Sequence, residues 1–552
     1  MNESPDYQNG AQKNDPKGPQ NGAPAYNAYA YAPYRVPERI KREPLFQRGK
    51  RDVVIAAVLI VLSVLWGSSL FWDQLRAGYT IVYILSLAAI SAFLICKGSK
   101  VTPFSLAVAA LSAVCSLSFA FTSNLTVRFL SYIVTLISAA VWFSHLAGKK
   151  CGKSDFGVAK CAGLAVFHGI ADIPQTLVDL FAKSKDPKSK TWLRILIGVG
   201  CAIPLLLILI PLLMSSDEAF SSLINNLSDA KEWLLKIIVG VIFCPLILGF
   251  VFSLKYNKRS GERSFGIKCV NSATVSAFLS VTSAVYAVYL FSQTAYFTSA
   301  FMNILPKGYK FTYAEYARRG FFELCAIAAI NLALIVLLII FTEKKEGKLP
   351  LCVKIPATFI SFFTLVIIAT AVSKMIMYIN EYGMTVLRVC TSAFMLWMAT
   401  VFIAATVRLF TKKLDILRTG LLSALIILSV LGVLNVNSFC ARYNYEAYVE
   451  KGAAIDVEHY AALGDEGIEY LCKLAGAPDE DVAKKAKLIL EYKVYYYYDI
   501  DYYAEGSYDD IPPERSFSGI GQFSFARQRA YEAFDEYVEK SGGFDAFTDH
   551  LN

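Results

Sequence analysis

Windows of roughly eighteen or more apolar residues recur along this chain, and that recurrence limits the fold before any motif is read. A helix of that length crosses about 30 Å of hydrocarbon. The windows fall near 52–72, 77–96, 102–122, 126–147, 192–214, 233–254, 267–291, 319–341, 353–379, 386–410 and 419–438. With 55% hydrophobic residues and a mean hydropathy of +0.44, the 552 residues describe a membrane protein and not a string of soluble domains. The expected fold is all-α: a polytopic transmembrane helical bundle of about eleven spans with a small helical C-terminal extracytoplasmic domain. About fifty polar residues precede the first span, so it reads as a retained helix and not as a cleaved leader.

Lys and Arg in short loops stay on the cytoplasmic side. Alternate loops are basic: KREPLFQRGKR, CKGSK, the segment containing GKKCGKSD and AKSKDPKSKTWLR, then KYNKRSGER, TEKKEGK and TKKLDILR. Intervening loops such as TSNLT, SSDEAF and NEYGM are nearly free of them. The N-terminus is therefore expected inside, and an odd number of spans puts the C-terminus outside. The net charge of +9 hides a division, because residues 439–552 carry 23 acidic against 11 basic side chains, a balance of −12 that leaves +21 elsewhere. Those basic residues line membrane loops, so anionic lipid is the expected partner and nucleic acid is not.

Five regions follow. Residues 1–50 form a Pro/Tyr/Asn-rich tail expected to be disordered. Residues 51–148 hold the first spans, and 149–191 a basic cytoplasmic insert whose PQTLVDLFAKSK places Leu177, Leu180 and Phe181 on one helical face after Pro174. That helix lies in the membrane interface or serves as a plain connector. Residues 192–438 hold the remaining spans, with Pro204, Pro211 and Pro245 inside them, and 439–552 form the acidic helical domain. Cys440 and Cys472 lie in that domain, where an oxidising compartment permits a disulfide.

Signatures of catalysis are missing: there is no Gly-rich phosphate loop, no GxSxG and no HExxH, and His145, His168, His459 and His550 are scattered. No catalytic residue, metal site or cofactor is assigned. What remains are charges at the ends of spans, which persist in a bilayer where they face protein or water. Asp217, Glu218, Glu315, Arg318, Arg319, Glu323, Lys374, Glu381 and Arg388, with Arg128 and Lys236, all project toward the outer leaflet. Thr312 and Glu315 have capping-box spacing, and Glu315, Arg319 and Glu323 then share one helical face as acid, base and acid. The first nine are the candidate binding cluster, with a structural ion-pair lattice as the alternative.

The same residues carry a likeness. LLMSSDEAF (212–220), FTYAEYARRGFFEL (311–324), EYGMTVLR (381–388) and IDVEHYAALGDEGIEYL (455–471) resemble, in order and spacing, the blocks of a bacterial multi-spanning family called domain of unknown function 4173. The resemblance implies a bacterial cytoplasmic-membrane protein without an assigned reaction, and it supplies no catalytic residues. The leading expectation is a non-enzymatic envelope sensor, scaffold or binding protein whose outer cluster and acidic domain meet a partner protein, lipid head group or small ligand. The alternatives are a transporter or lipid translocator, and a membrane enzyme acting on an envelope lipid.

Overall fold

The computed structural model describes residues 45, 49–70, 76–95, 101–148, 157–181, 209, 212–213, 215–216, 228–256, 270–292, 321–344, 348–411, 414–498 and 523–542, all within one compact unit, Pro44–Asn552. Hydrocarbon offers the backbone no hydrogen bonds, so a lipid-facing segment satisfies itself as a helix. The fold is accordingly all-α, and among the described residues the one β interaction is an isolated bridge between Val270 and Thr342.

Among the described residues ten spans are long and apolar enough to cross a membrane: α1 (Lys50–Leu70), α2 (Ala77–Ile95), α3 (Pro103–Ser116) continued by α4 (Ser118–Phe121), α5 (Leu125–Leu146), α8 (Ser228–Tyr256), α9 (Ser272–Ser292), α10 (Phe321–Phe341), α11 (Leu351–Tyr382), α12 (Val386–Phe410) and α13 (Ile416–Val433), while the span expected near 192–214 lies almost wholly outside those residues. Inside the stretch read as a basic insert lie α6 (Gly157–Ala171) and α7 (Ile173–Phe181), bent by 50°, and counting this pair as one span gives eleven. The pair packs on α5 and α8. At that crossing a Cβ on Gly169 would come within 2.9 Å of the Phe250 backbone. Asp172 is buried there and accepts from Ser253 Oγ at 2.8 Å.

The two larger apolar cores divide most of the bundle. One joins α1, α2, α5, α6 and α8 through Leu59, Phe93, Phe143 and Phe252; the other joins α9 to α12 through Ile335, Ile360, Phe363 and Phe402. Between them α13 packs on α3, α5 and α12. Its Gly432 lies so close to α4 that a Cβ would overlap Ser118, the small-residue contact by which membrane helices gain dispersion energy. Hydroxyls within the spans bond back into their own helices, as Ser138 does to the Val134 carbonyl and Thr370 to that of Val366. Asn331, fully buried in α10, accepts from Tyr286 at 2.7 Å and donates to Thr364 at 2.9 Å, tying three helices together in mid-bundle.

Beyond α13 the chain turns at Asn435, whose φ of 55° is in the left-handed region that Asn tolerates. Its amide donates to the Phe121 carbonyl at 2.7 Å. The C-terminal helices follow: α14 (Val436–Lys451), α15 (Val457–Ala462), α16 (Asp465–Leu474), α17 (Glu480–Tyr498) and α18 (Phe525–Lys540). Tyr460, Ile468, Leu471, Leu490 and Phe534 form their own core.

Replacing Gly432 by Leu is expected to force α13 off α4 and lower stability by about 1–3 kcal/mol. Thermal unfolding in detergent reads it, with Gly420→Leu, where a Cβ meets only ordinary contact at 3.5 Å, as the milder control.

Candidate functional site

The polar groups that the spans exclude gather where the C-terminal helices meet one end of the bundle. Three turns are held there: Arg76 before α2, residues 122–124 between α4 and α5, and 383–385 between α11 and α12. Gly464, at φ 71° and ψ −139°, lets the chain enter α16 with Asp465 and Glu466 in its first turn. Carboxylates are favoured at that position by the positive end of the helix dipole.

Asp465 joins two arginines. Its Oδ2 accepts from Arg76 Nη1 at 2.9 Å and lies 3.4 Å from Arg527 Nε, with all three side chains no more than 6% exposed. Ser524, which caps α18 through the Arg527 amide, also accepts from Arg76 Nη1 at 2.7 Å. Ala77 adds a backbone bond from its N–H to the Phe523 carbonyl at 3.1 Å. Breaking a buried ion pair of this kind by removing one partner is strongly destabilising, because the remaining charge is left in a poor solvent.

Glu466 is held by neutral donors. It accepts from the Ser123 backbone N–H at 2.7 Å, from the Ser123 hydroxyl, from Thr122 Oγ1 at 3.3 Å and from Asn437 Nδ2 at 3.3 Å. Asn124 caps α5 and donates to Asn437 Oδ1 at 3.0 Å, which knits the same loop to α14. On the far side of α14, Asn444 brackets Met384, accepting from its N–H and donating to its carbonyl, both at 2.7 Å.

Arg128, in the first turn of α5, completes the group. Its Nε donates to the Thr122 carbonyl at 2.7 Å, and its charged neighbours are Arg76, Glu466, Asp465 and Arg527. Arg128 Nη2 and Arg76 Nε are buried without a hydrogen-bond partner. Three guanidinium groups thus face two carboxylates among the described residues.

Of the nine residues expected to form a cluster, Asp217, Glu218, Glu315, Arg318 and Arg319 lie outside the described residues, as does the capping box at Thr312. Glu323 opens α10 exposed, and Glu381 is exposed at the end of α11. Lys374 is buried in α11. Arg388 closes α11, donating to the carbonyls of Tyr382 and Gly383 while its guanidinium stacks 4.0 Å from the Tyr378 ring centroid. Arg76, Asp465, Glu466 and Arg527 escaped the sequence reading. The available signal was a lone arginine, in DQLR, within an otherwise Lys- and Arg-free loop.

Elsewhere, a cavity of about 400 Å³ lies among α1, α2, α5, α6 and α8, bounded by Leu59, Trp66, Tyr83, Leu136, Ile170 and Phe250. Of its few polar groups, Trp66 is bonded to Ser86 at 2.9 Å and Tyr83 to the Thr135 carbonyl at 3.1 Å. Cys440 and Cys472 are free thiols in separate apolar clusters, so the disulfide left open by the sequence is not formed. Burial pushes both thiols up to about 12.

Fold and junction together define a multi-pass helical membrane protein with a C-terminal helical domain docked on one end of its bundle. The chain belongs to the family described as Domain of unknown function (DUF4153), whose model matches residues 104–474. The likeness to family 4173 thus stands in its coarse form, an uncharacterised family, and the family shown is 4153. The match includes Arg128, Asp465 and Glu466, while Arg76 and Arg527 fall outside it. No curated protein and no solved structure matches the chain.

Asp465→Ala is expected to lower stability by about 3–5 kcal/mol and to expose the C-terminal helices to limited proteolysis. An Arg76→Met, Asp465→Leu, Arg527→Met triple should recover much of the loss, since it removes the carboxylate together with both arginines that share it. A pH effect is expected at His459, whose Nε2 is buried without a partner. Burial pushes this imidazole below its ordinary value of 6.5; Asp456 opposes the shift and Arg388 adds to it. The folded state therefore favours the neutral ring. Its contribution is intact above about pH 6.5 and is lost as pH falls between that value and the depressed one. Unfolding midpoints followed from about pH 8 to about pH 5 should fall less steeply for His459→Gln than for the unsubstituted chain.

Proposed function

We propose that this chain is a non-enzymatic binding and scaffold protein of a bacterial cytoplasmic membrane, with its N-terminus in the cytoplasm and the docked helical domain on the outer face. The observation that carries the reading is the clamp itself. Arg76, Asp465 and Arg527 join the domain to the bundle by buried charges, and Glu466 and Asn444 hold two further turns. A domain fastened in this way presents one fixed surface and reports any change in the turns beneath it. Orientation rests on the sequence of the loops: CKGSK, KYNKRSGER and TEKKEGK are basic, while TSNLT and NEYGM, which lie at the clamp, are free of Lys and Arg.

A transporter is the second reading, and Asn331 favours it as a polar group at mid-bundle. Both of its hydrogen-bonding ends, however, are engaged by Tyr286 and Thr364. The nine-residue cluster stays within the proposal as a further part of the outer binding surface.

Two measurements separate these readings. Single cysteines near the C-terminus and within 311–319, introduced into a cysteine-free variant, are expected to react with an impermeant thiol reagent on intact cells. Protection of the C-terminus would move the domain to the cytoplasmic face. Purified protein in vesicles is expected to drive no solute or lipid flux, and flux abolished by Asn331→Leu would replace the scaffold with the transporter.

A further inference from the structure

The clamp contains more positive charge than it uses. Asp465 is shared between Arg76 and Arg527, and Glu466 is already satisfied by Ser123, Thr122 and Asn437. Among the described residues no carboxylate hydrogen-bonds Arg128, whose charged neighbours include the guanidinium of Arg76. Arg76 is buried and Arg128 half-buried, so these like charges repel each other, and each keeps one buried N–H, Arg76 Nε and Arg128 Nη2, without an acceptor. Leaving a buried charged donor unsatisfied is costly, whereas an anion accepting from both would remove the repulsion and the two vacancies together.

The surroundings add to the same field. The chain enters α2, α5, α16 and α18 at Ala77, Leu125, Asp465 and Phe525, so four helices direct their positive ends at this junction. Side-chain caps from Asn124 and Ser524 serve α5 and α18. At α16 the cap is Gly464, which has no side chain to offer. Arginine is also the cation best matched to a tetrahedral oxyanion, since its planar fork donates two N–H groups at once.

We propose that the junction is a phosphate-class oxyanion site in which Arg128 and Arg76 bind the anion between the first turns of α2 and α5. This deepens the binding role proposed above and rests on it. Both arginines stand at the ends of spans, the depth at which lipid phosphates lie, so a lipid head group and a free phosphate are two sources of one chemistry. Bound anion would tie α2 to α5 beneath the docked domain and strengthen the clamp.

The test uses the full chain purified in a phosphate-free detergent. Radiolabelled inorganic phosphate is offered in equilibrium dialysis, and short-chain phosphatidylglycerol is compared with a short-chain glycolipid lacking phosphate for its effect on the unfolding midpoint. Saturable binding of about one phosphate per chain, weakened at least about tenfold in Arg128→Gln and partly restored in Arg128→Lys, supports a free-phosphate site. A midpoint raised by phosphatidylglycerol, unchanged by the glycolipid and insensitive to lipid in Arg128→Gln, supports the lipid source. Limited proteolysis confirms that the domain remains docked in each variant. A variant that undocks is replaced by phosphate and lipid titration of the unsubstituted chain in competition with sulfate. Absence of any phosphate or phosphatidylglycerol effect, or equal effects in the unsubstituted chain and a docked Arg128→Gln, overturns the site. Undocking by itself bears on the scaffold reading, so the two ideas fail by different signs.

Discussion

The contact of Arg76 with Asp465 joins the beginning of the second span to a helix almost four hundred residues later, and the placement of the C-terminal domain depends on it. Water would hydrate both groups and leave the pair worth little. Buried to 5% and 6% exposure, they count each other, Arg527 and Ser524 among their polar partners. The contact is therefore a condition on the fold more than a bonus to it. The domain docks where these groups meet, because any other arrangement strands a charge.

Around that point the membrane imposes the opposite requirement. Spans keep their polar atoms internal, with hydroxyls returned to their own carbonyls and Asn331 closed by Tyr286 and Thr364. Charge is tolerated at the two ends of the bundle. At the basic end, Asp52 pairs with Lys255 at 3.1 Å and accepts from Tyr256, fastening α1 to α8. At the other end, five charged side chains, from the turn before α2, the first turn of α5 and the outer helices α16 and α18, form the clamp. Dispersion packing at glycine crossings joins the spans to one another, and paired charges fasten the ends of the bundle.

Much of the bundle was legible because the signal is simple: eighteen apolar residues have few alternatives to a spanning helix. The helix after Pro174, α7, was read as a helix, but its partner α6 was not. GVAKCAGLAVFHGIA is only fifteen residues long and stands between GKKCGKSD and AKSKDPKSK, so the basic flanks made it read as an insert. Within the site, Arg128 was legible as a charge at the start of a span, and the GDEG stretch stood inside a recurring block. Their partnership was not legible. Sequence cannot rank Asp465 and Glu466 above the other acidic residues of a region carrying 23 of them. What distinguishes the two is the Gly464 turn that swings them under the domain, and nothing local names Arg76 as the counterpart.

Asn435 has a mechanical consequence. The last span and the first helix of the domain are separated only by Leu434 and Asn435, and the amide of Asn435 is fixed to the end of α4. A flexible tether would isolate the domain from the membrane; this corner makes α14 a crank attached to α13. At about 1.5 Å per residue, the sixteen residues of α14 form an arm of about 24 Å. A few degrees of tilt in the last span, of the kind that a change in bilayer thickness produces, would sweep the far end of that arm by an ångström or more, against a clamp built of charges with little room to slide.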